Sequence, residues 1–331
     1  MEPNKAGIRL TLEDGTDLAD KIDPRFIELT LSEKRGGEAD ELSLTLHNTD
    51  GKLAAPPKGR YINLALGWIS GQDRTLGLIN KGRFRVDEIG MRGPPDVITI
   101  RARSADFSGP YPKRRNRTWA ATTLSDVLTQ IASRNGATAS VHPDLASLPI
   151  DAIEQHNKSD MAFVQDLGRH FDAVATWKDK RLVFMPVGSK TTAKGKTIAT
   201  RTLTRQDGWT YEYSDSDRDA QNGVEAQYHD ASTGRRRTVG TGGSNTHRLK
   251  RVYASKVNAE RATKSNLAKR QRSKSTFDYD LAVADPRLLP NMAVTLSGWT
   301  DAISKTSWLV DSLDTTFGAG GMTQKVKFEG A

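Results

Sequence analysis

Cysteine is missing altogether from the 331 residues. Disulfide scaffolds, thiolate nucleophiles and cysteine-ligated metal centres are thereby excluded. No apolar run approaches the about 18 residues that a membrane-crossing helix needs. The N-terminus, Met1-Glu2-Pro3-Asn4-Lys5, lacks the charged-then-apolar plan of a secretory leader. Apolar residues make up only 36% of the chain and the mean hydropathy is −0.59. That is lean for a compact enzyme and too rich for a disordered chain. The length allows two or three domains of about 100–200 residues each, large enough to bury a core without covalent staples. These shortages predict a soluble, basic protein kept in a cytosol-like compartment.

Catalytic signatures are equally scarce. The six histidines are His47, His142, His156, His170, His229 and His247, and none forms a His-x-x-x-His pair. Surface or capping roles suit them better than a composite metal site. No phosphate-binding loop, dinucleotide fingerprint or Gly-x-Ser-x-Gly elbow is present. Gly318-Ala319-Gly320-Gly321-Met322 mimics a fingerprint but reads as a hairpin turn, with no helix to aim at a phosphate. The densest acidic cluster is Asp215, Asp217 and Asp219. It has the residue types of a cation site or a catalytic carboxylate pair, but with no apolar cleft around it a solvated loop is the simpler reading.

What the sequence does have is charge in one place. There are 49 Lys and Arg against 40 Asp and Glu, a net +9. Residues 1–165 carry 22 of each sign; residues 166–331 carry 27 basic and 18 acidic. Within that half, Gly234–Lys274 holds 13 basic residues and a single acid, Glu260. This island is net +12 on a background of −3. Such a block serves as an interaction surface, a mobile arm or a solvated face, and its candidate partners are nucleic acid, an acidic protein face or anionic lipid. The clusters Lys113–Arg117, Arg235–Arg237 and Lys269–Arg272 lack the interleaved aromatics that stack bases, so contact with a phosphate backbone is the most they support.

Periodicity divides the chain. Ile8, Leu10 and Leu12 alternate with polar residues, as do Ile27, Leu29 and Leu31, then Leu42, Leu44 and Leu46, then Ile62, Leu64, Leu66 and Trp68. Arg83–Glu88 and Val97–Arg103 continue the pattern, with turn signals between the runs. Six or seven short strands without helices predict a barrel or sandwich. Ser108-Gly109-Pro110-Tyr111-Pro112 reads as a linker. Then Leu124, Val127, Leu128 and Ile131 recur at helical spacing, with Thr122 or Thr123 as N-cap and Gly136 beyond the end. A second helix starts at Ser159 and carries Met161, Val164, Leu167 and Phe171. Ala173–Trp177 and Arg181–Met185 read as a hairpin around Lys178-Asp179-Lys180. After a linker at Gly188–Lys196, strands resume at Leu203, Trp209–Tyr213 and Gly223–His229. Ala231–Arg251 reads as a long mobile loop. Val257–Arg272 reads as a helix with Ala259, Ala262 and Leu267 as its apolar positions. Strands at Phe277–Val283, Val294–Leu296, Trp308–Leu313 and Val326–Phe328 close the chain.

Several of these segments resemble a known family. The block Lys158–Phe171, with the hairpin Ala173–Trp177 and Arg181–Phe184, is similar to the Ser-Asp-x-x-Phe-Val/Leu-x-x-Leu-Ala block of the phage late control D family, also seen in the VgrG hub proteins of type VI secretion. The helix with Ala259, Ala262 and Leu267 followed by Phe277–Val283, the corner Leu288-Leu289-Pro290-Asn291-Met292-Ala293-Val294-Thr295-Leu296, and the strand Trp308–Leu313 resemble later family motifs in the same order. At the corner Asn291 stands where the family has glycine, a replacement that a left-handed turn tolerates.

The resemblance implies a mainly β fold with an α+β insert. It comprises a tube-like β-barrel over 1–112, a small α/β module over 113–187, and a second tube-like barrel over 188–331 with the basic segment 234–274. It implies a trimeric ring that acts as the structural hub of a contractile phage tail or tailocin. That hub would adapt a sixfold tail tube to a threefold spike and help initiate tail assembly. Expected partners are two further copies, the tail tube protein, a separate spike protein, the tape measure protein and baseplate wedge proteins. No membrane, cofactor, metal, catalytic residue or sequence-specific nucleic acid is expected. The location is the virion, and the host cytoplasm during assembly. Arg235, Arg236, Arg237, Lys250, Arg251, Lys269, Arg270 and Arg272 are the expected partner-interface residues. The rival readings are a nucleic-acid-binding protein using the 234–274 segment and a cell-wall hydrolase using Asp215, Asp217 or Asp219.

Overall fold

Alternating leucines build the first body. The structure, a computed structural model, describes residues 3–54, 56–72, 75–104, 113–216 and 222–331. Its first elements are β1 (Lys5–Leu12), α1 (Ala19–Ile22), β2 (Phe26–Lys34), β3 (Glu41–His47), β4 (Tyr61–Ser70), β5 (Gly77–Arg92) and β6 (Val97–Arg103). A strand sends successive side chains to opposite faces. Leu29 and Leu31, Leu42, Leu44 and Leu46, and Ile62, Leu64, Leu66 and Trp68 therefore reach one side, where they are buried together with Phe84, Val86 and Ile98. Each fully buried side chain of this kind contributes about 1.5–3 kcal/mol. The alternating runs read from the sequence are these strands.

The α/β module follows as β7 (Arg114–Thr123), α2 (Leu124–Arg134), β8 (Thr138–Val141), α3 (Pro143–Ala146), β9 (Pro149–Ser159), α4 (Asp160–Phe171), β10 (Ala173–Lys178) and β11 (Arg181–Pro186). Thr123 is the cap of α2. Its hydroxyl accepts from the Asp126 N–H at 3.2 Å, while the Asp126 carboxylate accepts from the Thr123 N–H at 3.3 Å. Ser159 caps α4 by accepting from the Ala162 N–H at 3.2 Å. Leu124, Val127, Leu128 and Ile131 meet Phe163, Val164, Leu167 and Phe171 in a separate core. β10 and β11 form the expected hairpin, turned by Asp179 and Lys180 at φ +49° and +55°, the paired left-handed conformation of a tight hairpin loop. The linker expected at Ser108–Pro112 lies outside the described residues.

The remaining elements are β12 (Arg201–Thr204), β13 (Gly208–Asp215), β14 (Gly223–Asp230), β15 (Arg235–Gly240), β16 (Thr246–Tyr253), α5 (Lys256–Arg272), β17 (Ser275–Leu281), β18 (Ala293–Ser297), α6 (Asp301–Ser304), β19 (Trp308–Gly318) and β20 (Gly321–Gly330). Phe277, Tyr279, Val294, Trp308, Val310, Leu313, Val326 and Phe328 form the third core. Gly318 pairs with Gly321 across the β19–β20 turn, so the glycine-rich stretch there is a hairpin. Two sequence expectations need correction. Ala231–Arg251 is not a loop: it contains β15 and β16, which flank β14 in a three-stranded sheet. On α5, Ala259 and Ala262 are buried as expected, but Leu267 is only half-buried, and Asn258, Thr263 and Ser265 share the buried face instead.

The two β bodies share one sheet. Its main path runs β1-β4-β5-β6-β3-β2-β19-β20-β17-β13, with β12 and β18 attached beside β19. The join is β2 against β19, antiparallel, from Ser312 opposite Lys34 to Gly318 opposite Glu28.

Candidate assembly surfaces

The basic island folds as a unit. α5 lies on one face of the β14–β16 sheet, where Ala259 packs on Ala226 and Tyr228. Small residues on the helix let it sit close to the strands. Its N-cap, Ser255, accepts from the Asn258 N–H at 3.3 Å and donates to Asp151 of the α/β module at 2.8 Å. Farther along, the Ser265 hydroxyl donates to the His170 carbonyl at 3.0 Å. The island is therefore tied to the insert at the start and along the middle of α5.

The eight expected interface residues do not form one patch. Arg235, Arg236 and Arg237 lie exposed along β15, and Lys250 and Arg251 along β16. Arg237 pairs with Asp230 at 2.8 Å. The hydroxyls of Ser232 and Thr233, and then Arg237, hold the Asp230 carboxyl down to about 2. Arg251 stacks over the Tyr253 ring at 5.6 Å. Lys269 and Arg270 sit on the last turn of α5, where cations meet the negative end of the helix dipole. Arg272 is the exception. It is largely buried and donates to Asp172 at 2.8 Å and to Glu329 at 3.0 Å. Burial opposes its charge, but these two carboxylates outweigh that and raise its pKa. Arg272 is a clasp within the chain.

That clasp stands in a cleft of about 670 Å³, where the first body, the insert, α5 and β19–β20 converge. Arg35 enters from the first body and pairs with Glu329 at 2.6 Å and Asp311 at 2.9 Å. A second ionic contact is fully buried: Lys81 on β5 donates to Glu33 on β2 at 2.7 Å, each side chain 1% exposed. Lys178 of the insert reaches Asp40 at 2.8 Å and Glu33 at 3.7 Å. Burial works to lower the Lys178 pKa, yet Asp40 and Glu33 leave it raised. None of Glu33, Arg35, Lys81 or Lys178 stood out in the sequence. Glu33 carries the only faint signal, as an acid in phase with Leu29 and Leu31. Asn291, at φ +71°, adopts the expected left-handed turn. Its amide also accepts from the Gly188 N–H at 2.8 Å and donates to the Pro186 carbonyl at 3.1 Å, fixing the chain where it leaves the insert.

Candidate chemistry disperses. His142 caps α3, accepting from the Asp144 N–H at 3.2 Å, and contacts the Thr191 hydroxyl at 2.7 Å. His47, His156 and His229 are exposed and His247 is half-buried. His170 stacks on Tyr253 at 5.7 Å. Burial, with help from Arg261 and Arg251, holds its imidazole down at about 4. No group of three or more His, Asp or Glu that could hold a metal ion occurs among the described residues. Asp215 ends β13 and accepts from the Ser275 hydroxyl at 3.2 Å; Asp217 and Asp219 lie outside the described residues. No helix among the described residues is long and apolar enough to cross a membrane.

Comparison with known proteins gives consistent matches over most of the chain. The family profile of the phage tail baseplate hub (GPD) matches residues 43–321. A probable baseplate hub protein of Escherichia phage 186 is 33% identical, covering 97% of this chain and 92% of its own length. Among solved structures, the 43 kDa tail protein of prophage MuSo2 from Shewanella oneidensis has the same fold, with a TM-score of 0.67 at 14% identity over 98% of both chains. The E. coli c3393 protein, a type VI secretion component described as similar to the T4 tail proteins gp27 and gp5, aligns with a TM-score of 0.58. It is 10% identical, over 99% of this chain and 77% of its own.

Proposed function

The chain belongs to the phage tail baseplate hub (GPD) family and is a structural baseplate hub, and on that premise we propose that three copies form a ring adapting a sixfold tail tube to a threefold spike. Each copy supplies two tube-like β units, over 1–112 and 188–331, so that three copies supply six. The α/β module over 113–187 stands as a separate unit beside them. The role is mechanical and non-enzymatic: to seed assembly and to pass the force of contraction to the spike. Tube, spike, tape measure and wedge proteins are its partners. Its place is the virion baseplate, reached from the host cytoplasm.

The observation that carries the reading is the β2–β19 junction. Two β bodies far apart in sequence are joined edge to edge by backbone pairing into one sheet. Such a join spreads a shear load over many parallel hydrogen bonds, as a force-bearing ring requires. The exposed arginines of β15 and cations of β16 supply a positive face for the spike, the tape measure or the neighbouring copy.

The test is mass in solution, by light scattering, together with electron images. Three times the chain mass and a threefold ring with a central channel are expected. A stable monomer at every concentration overturns the ring. Tight DNA binding by that monomer, with a steep salt slope, would favour the nucleic-acid reading instead.

A further inference from the structure

We propose that the cleft around the Arg272 clasp is a docking site for an acidic segment of a partner protein, a role that stands whether or not three copies form a ring. The cleft measures about 670 Å³, within the range of about 300–1,000 Å³ usual for sites that enclose a ligand. Its walls come from the β2–β3 turn, α4, the start of β10, the end of α5 and the β19–β20 pair. Little apolar bulk lines it. Val187 is the largest hydrophobic residue there, and the other uncharged positions are glycine, alanine, serine and glutamine. A ligand held here is recognised by charge and hydrogen bonding rather than by apolar contact.

Six cationic side chains and four carboxylates line the cleft. Arg35 and Arg272 share Glu329, and each takes a second carboxylate, Asp311 and Asp172. Lys34 and Arg169 pair with Glu38 and Asp166. Every carboxylate of the lining is thereby engaged. Lys269 and Lys327 remain. Both are exposed, and neither makes an ion pair among the described residues. The clasp explains why they meet. Lys269 lies three residues before Arg272, on the same face of α5. Lys327 lies two residues before Glu329, on the same face of β20. Joining Arg272 to Glu329 therefore brings both lysines to one cleft. Beside them Arg35, its side chain 11% exposed, keeps Nη1 buried without a hydrogen-bond partner. A donor left unsatisfied is a standing cost that an acceptor entering the cleft relieves.

The balance of charge selects a protein carboxylate over a phosphate chain. Two uncommitted lysines match one or two negative charges. A nucleic-acid strand carries one at every nucleotide, and the surplus would face the four carboxylates already in the lining. Its bases would also find no aromatic wall to stack on. An Asp or Glu side chain on an extended segment brings a single charge on a slender stem, and a lysine ammonium meets it in a charge-assisted hydrogen bond.

The probe is a fluorescein-labelled Gly-Glu-Gly-Glu-Gly peptide, titrated with the full-length protein and followed by fluorescence anisotropy at low and at physiological salt. Saturable binding is expected. Lys269→Glu with Lys327→Glu changes two exposed positions and leaves the clasp in place; it is expected to weaken binding by about tenfold or more. Arg236→Glu with Lys250→Glu makes the same change of charge on β15 and β16, and is expected to alter binding by less than about twofold. Absence of saturable binding overturns the docking site. Equal weakening by the two double variants does so as well, because it shows only the diffuse attraction of a basic chain. Single-stranded DNA of equal charge that binds more tightly than the peptide, through the same two lysines, would assign the cleft to nucleic acid and overturn the acidic segment. None of these outcomes bears on the ring, which the mass in solution decides.

Discussion

Glu33 stands on the buried side of β2, in phase with Leu29 and Leu31, and Lys81 at 2.7 Å, with Lys178 farther off at 3.7 Å, makes that tolerable. A charge taken out of water costs several kcal/mol, and its partner's attraction does little more than repay the debt. Removing one member of such a pair is therefore far worse than removing both. Lys81→Met is expected to lower stability by about 3–5 kcal/mol, read from the urea unfolding midpoint. Glu33→Met with Lys81→Met is expected to regain most of that loss. A double variant as unstable as the single one would show that the two charges are not coupled. The sequence carried no usable sign of this pair, because a glutamate at a strand end looks solvated and its partner lies 48 positions away. Asn291 was legible for the opposite reason: a left-handed turn limits the choice to very few residues. Even there, the two hydrogen bonds that anchor the exit of the insert came only from the structure.

Helices with an apolar stripe declared themselves, as α2 and α4 did, through residues three and four apart. α5 did so poorly, because its buried face is made of Asn258, Ala259, Ala262, Thr263 and Ser265. Close approach, rather than apolar bulk, holds it to β14, and close approach leaves little periodic signal. β15 and β16 hid for a related reason: their alternation is Val239 and Leu249 among exposed arginines and a lysine, with only one face covered. Basic strands of this kind are indistinguishable from a loop by hydropathy. The small face makes a sharp prediction. Ala262→Leu forces three extra carbons against a surface with no room, an overpacking that costs about 1–3 kcal/mol. Ala268→Leu, at a half-buried position on the same helix, is expected to cost less than half of that. The comparison is read from thermal unfolding. Equal costs would mean that α5 is not seated on the sheet as described.

At the scale of the whole chain, the question is what couples the separate cores to one another. Strand pairing joins the first and third cores through β2 and β19, positions some 280 residues apart that periodicity cannot match to one another. Among the described residues the insert has no such ladder to the main sheet; its strands pair among themselves. It is held by side chains: Lys178 to Asp40 and Glu33, Asn291 to Pro186 and Gly188, and above all Arg272, which links Asp172 at the end of α4 to Glu329 on β20. Hydrogen bonds to charged groups are worth about 1.5–3 kcal/mol each, enough to couple units of marginal stability. Arg272→Met keeps the length of the side chain and removes the clasp. Glu329 retains Arg35 as a partner, so the damage falls on the insert. Site-resolved hydrogen exchange is expected to show amides of α4, β10 and β11 opening at least tenfold faster, with those of β2 and β19 unchanged. Uniform acceleration throughout the chain, or none, would mean that contacts other than this clasp carry the coupling.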